Sequence, residues 1–176
     1  MINYLATQKN WQNAFSDTIT SFAELAQALD LPIDSFDSQV GQFPLKVPRR
    51  FVQKMGKGDI HDPLLKQVLP TFQETVQVTG FVTDPLDEQH ANPVKGIIHK
   101  YASRVLIPVT GACVVNCRYC FRQHFDYHEN LPTQNDWQAI SAYITAHPAV
   151  NEVILSGGDP LSLSNRRLLE IFTTLE

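Results

Sequence analysis

The sequence lacks the features that would direct a chain into or across a membrane. No apolar stretch approaches the roughly 18 residues of a membrane-spanning helix, and the N-terminus has no charged segment followed by an apolar one. A basic excess is also missing: 14 Lys and Arg stand against 18 Asp and Glu, a net charge of −4 that would not attract nucleic acid. We therefore expect a soluble, cytoplasmic protein with neither a membrane nor a nucleic acid as its partner.

Cysteine is scarce and confined to one place. The 176 residues contain three cysteines, Cys113, Cys117 and Cys120, spaced C-x3-C-x2-C. An odd number clustered in one short stretch argues against a disulfide framework and fits a reducing cytosol. Thiolates this close can converge on one metal centre, and because no fourth cysteine exists, a [4Fe–4S] cluster would keep one iron open for another ligand.

Apolar patterning predicts an α/β fold for the second half of the chain. Residues 104–110 and 150–156 are apolar, β-branched runs of strand length. A helix capped by Thr133 follows the first run, and a helix capped by Ser164 follows the second. This order predicts parallel βαβ units, with the cysteines on the loop at the carboxyl end of the first strand.

The first half of the chain predicts short helices separated by proline and glycine. A capping-box pattern at Ser21 and Glu24 begins one helix, which ends before Pro32. Residues 48–55 predict a second helix, and Asp62 predicts the N-cap of a third.

The cysteine spacing by itself leaves other kinds of site open. A structural zinc site could use the three cysteines with His124 or His128, since Cys3His is a common zinc ligand set. Three unlinked, buried cysteines acting as small hydrophobic residues are a second alternative.

Two stretches together resemble the radical S-adenosylmethionine (SAM) enzymes. The C-x3-C-x2-C spacing with aromatic Tyr119 before the last cysteine resembles their cluster motif, and the turn after the second predicted strand resembles their glycine-rich SAM-binding stretch. In that superfamily the open iron holds SAM, and the aromatic residue lies near the adenine. The resemblance implies that Cys113, Cys117 and Cys120 ligate a [4Fe–4S] cluster, and it implies SAM contacts at Tyr119, Gly157, Gly158 and Asp159.

A wider resemblance, from about residue 48 to the end, is to the lysine 2,3-aminomutases. It is carried by residues 84–88, 93–96 and 99–106. Residues 80–90 and 116–125 are most similar to a short bacterial branch that serves elongation factor P.

That family implies a reaction and further site residues. A 5′-deoxyadenosyl radical from SAM takes a hydrogen from L-lysine bound to pyridoxal phosphate (PLP), and the amino group migrates to give β-lysine. Arg122 matches the arginine that pairs with the substrate carboxylate, and Tyr101 and Arg104 match positions that face PLP. In the elongation factor P branch a separate ligase attaches β-lysine to the factor. We also expect an electron donor and a possible homo-oligomer.

The resemblance also implies a fold that these residues begin but do not complete. The family has a partial (β/α)6 barrel, of which two units are predicted here, and its PLP-binding lysine lies far downstream. We therefore expect a truncated, inactive chain without a catalytic residue of its own, divided into an N-terminal helical region with a connecting loop (residues 1–95) and the beginning of the barrel (residues 96–176). An aminomutase of free lysine or glutamate and a non-enzymatic zinc module are the alternative functions.

Overall fold

The computed structural model describes residues 15–36 and 43–176. The chain forms two compact units. The N-terminal unit contains the described residues up to 81 together with residues 114–123, and the sheet unit contains residues 82–113 and 124–176. These units divide the chain at other points than the predicted boundary between residues 95 and 96, and the cysteine loop contributes residues to both of them.

Short elements around one apolar core make up the N-terminal unit. They are β1 (Thr18–Ile19), α1 (Phe22–Leu29), β2 (Val47–Pro48) and α2 (Arg49–Val52), with 3-10 turns at Ile33–Ser35, Leu65–Gln67 and Phe72–Thr75. β1 and β2 pair antiparallel. The core contains Ile19, Leu25, Leu29, Val47, Leu65 and Val68. Because each element is so short, this core depends on contacts between segments distant in sequence rather than on any one helix.

The first predicted helix is confirmed, but its predicted capping box is wrong. α1 follows Ser21, yet the Ser21 side chain makes no capping hydrogen bond. Glu24 instead accepts a hydrogen bond from Arg49, which also pairs with Asp17 at 3.1 Å. The Glu24 carboxylate therefore binds Arg49, which is distant in sequence, instead of capping the start of α1.

The second and third predicted helices are shorter than predicted. α2 ends at Val52 because the next amides, of Lys54 and Met55, bond three residues back instead of four. Asp62 does cap a turn, since its carboxylate accepts hydrogen bonds from the amides of Leu64 at 2.8 Å and Leu65 at 3.0 Å. The turn that follows is 3-10 and does not extend into an α-helix.

The sheet unit has three strands in the order β3-β4-β5. Its elements are β3 (Ile98–Tyr101), β4 (Arg104–Thr110), α3 (Tyr127–Asn130), α4 (Asp136–Thr145), β5 (Glu152–Gly157) and α5 (Asn165–Leu175), with 3-10 turns at Gln89–Ala91 and Pro160–Ser162. β4 and β5 pair parallel along their length, and β3 pairs antiparallel with β4. Ile107 of β4, Ile140 of α4 and Ile171 of α5 are fully buried in the core between sheet and helices.

Most predicted elements of this unit are confirmed, including the parallel pairing of the two strands. Ser164 caps α5 as predicted, its hydroxyl accepting from the Arg167 amide at 3.2 Å. α4 begins later than predicted, after Asn135; the Thr133 amide and hydroxyl both donate to the Asp136 carboxylate at 2.7 Å, just ahead of the helix.

The α/β class is confirmed, and β3 adds an antiparallel strand that was not predicted. The described residues contain one parallel strand pair, so the six-unit barrel and the truncation stay predictions. Across the described ranges, no helix combines the length and the apolarity needed to cross a bilayer.

Candidate functional site

The loop that carries the first cysteine leaves the carboxyl end of β4, as predicted. The Thr110 hydroxyl accepts a hydrogen bond from the Ala112 amide at 3.0 Å, which turns the chain immediately after the strand. Gly111 packs against the ring of Tyr127, where a Cβ would lie 3.1 Å from the nearest ring carbon. Cys113 is the last residue of this part of the sheet unit.

The predicted SAM-binding turn lies against this same loop. Gly158 donates its amide to the carbonyl of Thr110 at 2.6 Å, and the Asp159 amide donates to the carbonyl of Ala112 at 2.8 Å. A Cβ on Gly158 would lie 2.4 Å from the Ala112 oxygen, and Gly157 has a φ of +106°, so both positions require glycine. The ends of the two parallel strands are therefore joined by backbone hydrogen bonds next to Cys113.

Asp159 has a further role within the turn. Its carboxylate accepts a hydrogen bond from the Leu161 amide at 3.0 Å and caps the following 3-10 turn. Its backbone and its side chain both fix the shape of the turn. This structural role does not depend on any contact with SAM.

The remaining two cysteines lie in the N-terminal unit on one tight turn. The Cys120 amide donates to the Cys117 carbonyl at 3.0 Å. Tyr119 lies between them, and its interaction with the Cys117 side chain, first by hydrogen bonding and then electrostatically, raises the pKa of the Tyr119 phenol. None of the three cysteines is in a disulfide, and all three are half-buried.

This part of the loop is attached to the preceding N-terminal segments. Val115 packs against the core of the unit, and Asn116 donates its amide to the carbonyl of Lys46 at 2.9 Å and its side chain to the carbonyl of Pro44 at 3.0 Å. Asn116 was not predicted as a site residue. An asparagine in a loop carries no local signal for carbonyls some seventy positions earlier in the chain.

Arg122 is buried and is therefore not a solvated surface cation, which is what most arginines are. Only 5% of the residue is exposed, and its guanidinium lies 4.8 Å from the centroid of the Phe121 ring. Burying an arginine is costly unless its charge meets partners. The pairing with a substrate carboxylate stays a prediction.

The two residues predicted to face PLP lie at the other end of β4 from the cysteine loop. Tyr101 and Arg104 pair across the β3–β4 turn, with the guanidinium 5.9 Å from the tyrosine ring. Arg104 also pairs with Glu152 at 3.2 Å. At about 3.3 Å per residue, the length of β4 separates them from Gly157 and Gly158 by roughly 20 Å. The structure therefore does not bring these side chains together with the glycine turn.

The donor chemistry fits an iron–sulfur cluster, although the described residues hold no preformed metal geometry. Within residues 15–36 and 43–176, no three His, Cys, Asp or Glu side chains are gathered as a metal site. His124 and His128, the candidate fourth zinc ligands, are exposed, and His128 bonds its neighbour Glu129 at 3.1 Å. The match is in residue type and sequence spacing: three half-buried cysteines outside any disulfide, at C-x3-C-x2-C, can ligate three irons of a cluster and leave the fourth open.

Comparison with known proteins agrees with this donor set. A sequence profile described as a 4Fe-4S single cluster domain matches residues 102–176, the part of the chain that contains all three cysteines and the glycine turn. This match assigns the region to a class of iron–sulfur cluster domains.

Comparison with individual proteins gives similarity over nearly the whole chain and to a more specific group. The chain is 44% identical over 172 residues to L-lysine 2,3-aminomutase of Haemophilus influenzae, covering 96% of this chain and 51% of that protein. It is 43% identical over 174 residues to L-lysine 2,3-aminomutase of Escherichia coli, covering 97% and 51%. With the enzyme of the same name from Clostridium subterminale the identity is 30% over 175 residues, covering 97% and 42%. The chain is thus homologous over nearly its whole length to proteins named L-lysine 2,3-aminomutase, and it spans about half the length of the first two.

Proposed function

We propose that this chain supplies the cluster-binding and SAM-binding part of a radical SAM aminomutase that converts L-lysine to β-lysine. The observation that carries the proposal is the loop of three cysteines, none of them in a disulfide, that begins at the carboxyl end of a parallel strand. The similarity to proteins named L-lysine 2,3-aminomutase supports the reaction class and the substrate.

Under this proposal the thiolates of Cys113, Cys117 and Cys120 hold three irons of a [4Fe–4S] cluster and leave the fourth for SAM. When bound, the cluster supplies the electron that cleaves SAM and so provides the radical that starts the rearrangement. Tyr119 flanks the adenine. Its contact with the Cys117 side chain supports this role because it keeps the ring next to a ligand.

The turn formed by Gly157, Gly158 and Asp159 orients SAM through its backbone. Its shape is fixed in advance, because two of its amides already bond the loop that leaves β4. A ligand that binds a preformed turn does not have to order it, and this lowers the free-energy cost of binding.

Arg122 would bind the carboxylate of L-lysine. A buried guanidinium beside an aromatic ring is poorly hydrated, and its planar fork matches the geometry of a carboxylate. This same burial disfavours substrates that lack an anionic group at that position.

The proposal includes PLP as second cofactor and elongation factor P as the destination of β-lysine. Its support is the likeness of residues 80–90 and 116–125 to the elongation factor P branch. For PLP, Tyr101 and Arg104 are the candidate contacts, and both lie away from the glycine turn.

Anaerobic reconstitution of the chain with iron and sulfide tests the cluster. We expect a brown protein with about four irons and four sulfides per chain. The Cys117→Ala variant should lose this chromophore, whereas His128→Ala, which removes a candidate zinc ligand, should keep it. Tight binding of one zinc ion without a brown chromophore would contradict the proposal. Two further assays use an enzyme that contains this chain together with the rest of the aminomutase. Formation of β-lysine from L-lysine tests the reaction, and transfer of β-lysine to elongation factor P when the ligase is added tests its destination.

A further inference from the structure

Arg118, the residue between Cys117 and Tyr119, is held by an unusually complete set of contacts within the N-terminal unit. Its Nε donates to Glu74 Oε1 at 2.8 Å, and its Nη2 bonds Glu74 Oε2, so the pair is bidentate. The Arg118 side chain is 7% exposed and that of Glu74 is 21% exposed. This ion pair is therefore shielded from water, unlike the exposed pairs elsewhere in the described chain.

Three further contacts fix the same arginine. Its Nη1 donates to the carbonyl of Phe43 at 3.0 Å, and the guanidinium carbon lies 5.0 Å from the centroid of the Phe43 ring. The Arg118 amide donates to the carbonyl of Gln67 at 2.8 Å. One loop residue thus contacts Phe43, Gln67 and Glu74, which lie between 44 and 75 positions earlier in the chain.

Glu74, which accepts the hydrogen bonds of the ion pair, is also held in place by its own turn. Glu74 completes a capping box at the 3-10 turn Phe72–Thr75, where its Oε1 also accepts from the Thr71 amide at 3.3 Å. A carboxylate that is fixed by its own turn pays little additional entropy when it binds a guanidinium fork.

We propose that Arg118 is a positioning residue whose ion pair with Glu74 holds the turn bearing Cys117 and Cys120 in the arrangement that accepts the cluster. The inference rests on the proposed function for the identity of the metal centre. It adds a role for the N-terminal unit, because Phe43, Gln67 and Glu74 all lie outside the region that matches the cluster-domain profile.

The Glu74→Gln variant removes the ion pair with Arg118 while it keeps the capping hydrogen bond of the local turn. Glutamine is an accepted third residue of a capping box, so its amide oxygen can still bond Thr71. Its NH2 group, however, would face the Nη2 of Arg118, placing donor against donor where the second carboxylate oxygen now accepts. Glu24→Gln is the matched control, because it makes the same change in the exposed pair of Arg49 in the same unit.

The first measurement uses the protein without iron, so it does not depend on the cluster. Alkylation by iodoacetamide, followed peptide by peptide by mass spectrometry, gives a rate for each cysteine. We expect Glu74→Gln to raise the rates at Cys117 and Cys120 about tenfold, with Cys113, which lies in the sheet unit, changed much less. Glu24→Gln should leave all three rates as in the unchanged protein.

The second measurement is the loss of iron from the reconstituted protein to a chelator. Loss of a residue that orients metal ligands weakens metal binding by about 10- to 100-fold, so iron should leave Glu74→Gln at least about tenfold faster. Glu74→Asp keeps a carboxylate, so it should lose iron at a rate between those of Glu74→Gln and the unchanged protein. It provides the test if the glutamine variant does not fold. Unchanged alkylation and iron loss in Glu74→Gln or Glu74→Asp would overturn the inference. Failure of the unchanged protein to take up iron would instead contradict the proposed function, while the alkylation rates would still decide the role of Arg118.

Discussion

Replacing Gly158 with alanine tests the close approach of the two strand ends on which the candidate site depends. A Cβ at this position would lie 2.4 Å from the oxygen, 2.7 Å from the carbon and 2.9 Å from the nitrogen of the Ala112 backbone. Because all three are backbone atoms, no side-chain rotation can make room for the new methyl group. The turn and the loop after β4 must move apart.

The cost has two parts. Overpacking of a close contact costs about 1–3 kcal/mol. The movement also weakens the hydrogen bonds from the Gly158 amide to Thr110 and from the Asp159 amide to Ala112, each worth about 1 kcal/mol. We expect the free energy of unfolding of the sheet unit to fall by about 2–4 kcal/mol.

Urea unfolding followed by tryptophan fluorescence measures this loss. The chain has two tryptophans, so a Trp11→Phe background leaves Trp137, which is 5% exposed in the core of the sheet unit, as the reporter. Gly111→Ala is the matched control, because its Cβ would meet the movable ring of Tyr127 at 3.1 Å instead of backbone. Its loss should stay below about 1 kcal/mol. Equal losses in the two variants, or none at Gly158, would show that the strand ends do not approach as described.

Two further predictions concern single charged groups. In enzyme that forms β-lysine, Arg122→Lys keeps the charge but loses the fork, so KM for L-lysine should rise about tenfold or more with the iron content unchanged; an unchanged KM would exclude a substrate contact. Hydrogen bonds from the amides of Gly56, then Leu65 and Leu64, lower the pKa of the Asp62 carboxyl. Because the folded-state pKa is the lower one, the stabilisation is present above the unfolded value of about 3.9 and is lost as pH falls through the folded value. The urea midpoint of Asp62→Asn, followed by circular dichroism, should therefore lie below that of the unchanged protein at neutral pH and approach it at about pH 3; a gap that stays constant with pH would contradict this assignment.

The elements that were predicted correctly are those whose signal is local. β4 and β5 are continuous β-branched runs, and α5 begins at a serine whose hydroxyl caps the helix. β3 was missed because its four residues, Ile-His-Lys-Tyr, alternate weakly and are half exposed. Its strand conformation comes from pairing with β4 across a two-residue turn, and that pairing is not visible in the segment itself.

The same distinction applies to the site. The cysteines, Tyr119 and the glycine turn stand in short motifs, so their types and spacing could be recognised. The partner of Arg118 could not, because Glu74 lies 44 positions earlier and its own sequence context predicts only a turn. Likewise, the burial of Arg122 has no counterpart in the sequence around it.

The cysteine loop is therefore fixed by two different means in the two units. Near Cys113 the restraint is backbone hydrogen bonding between the ends of β4 and β5, which tolerates most side chains but requires glycine at two positions. Near Cys117 and Cys120 the restraint is the shielded ion pair between Arg118 and Glu74, together with the hydrogen bond from Arg118 to the Phe43 carbonyl. This restraint depends on residues that are far away in the chain. Substitutions distant in sequence can thus alter Cys117 and Cys120 without replacing a cysteine, whereas Cys113 is sensitive chiefly to changes in the glycine turn. A variant at Glu74 and a variant at Gly158 should consequently change the reactivity of different cysteines, and the pattern of alkylation would reveal which of the two restraints has been lost.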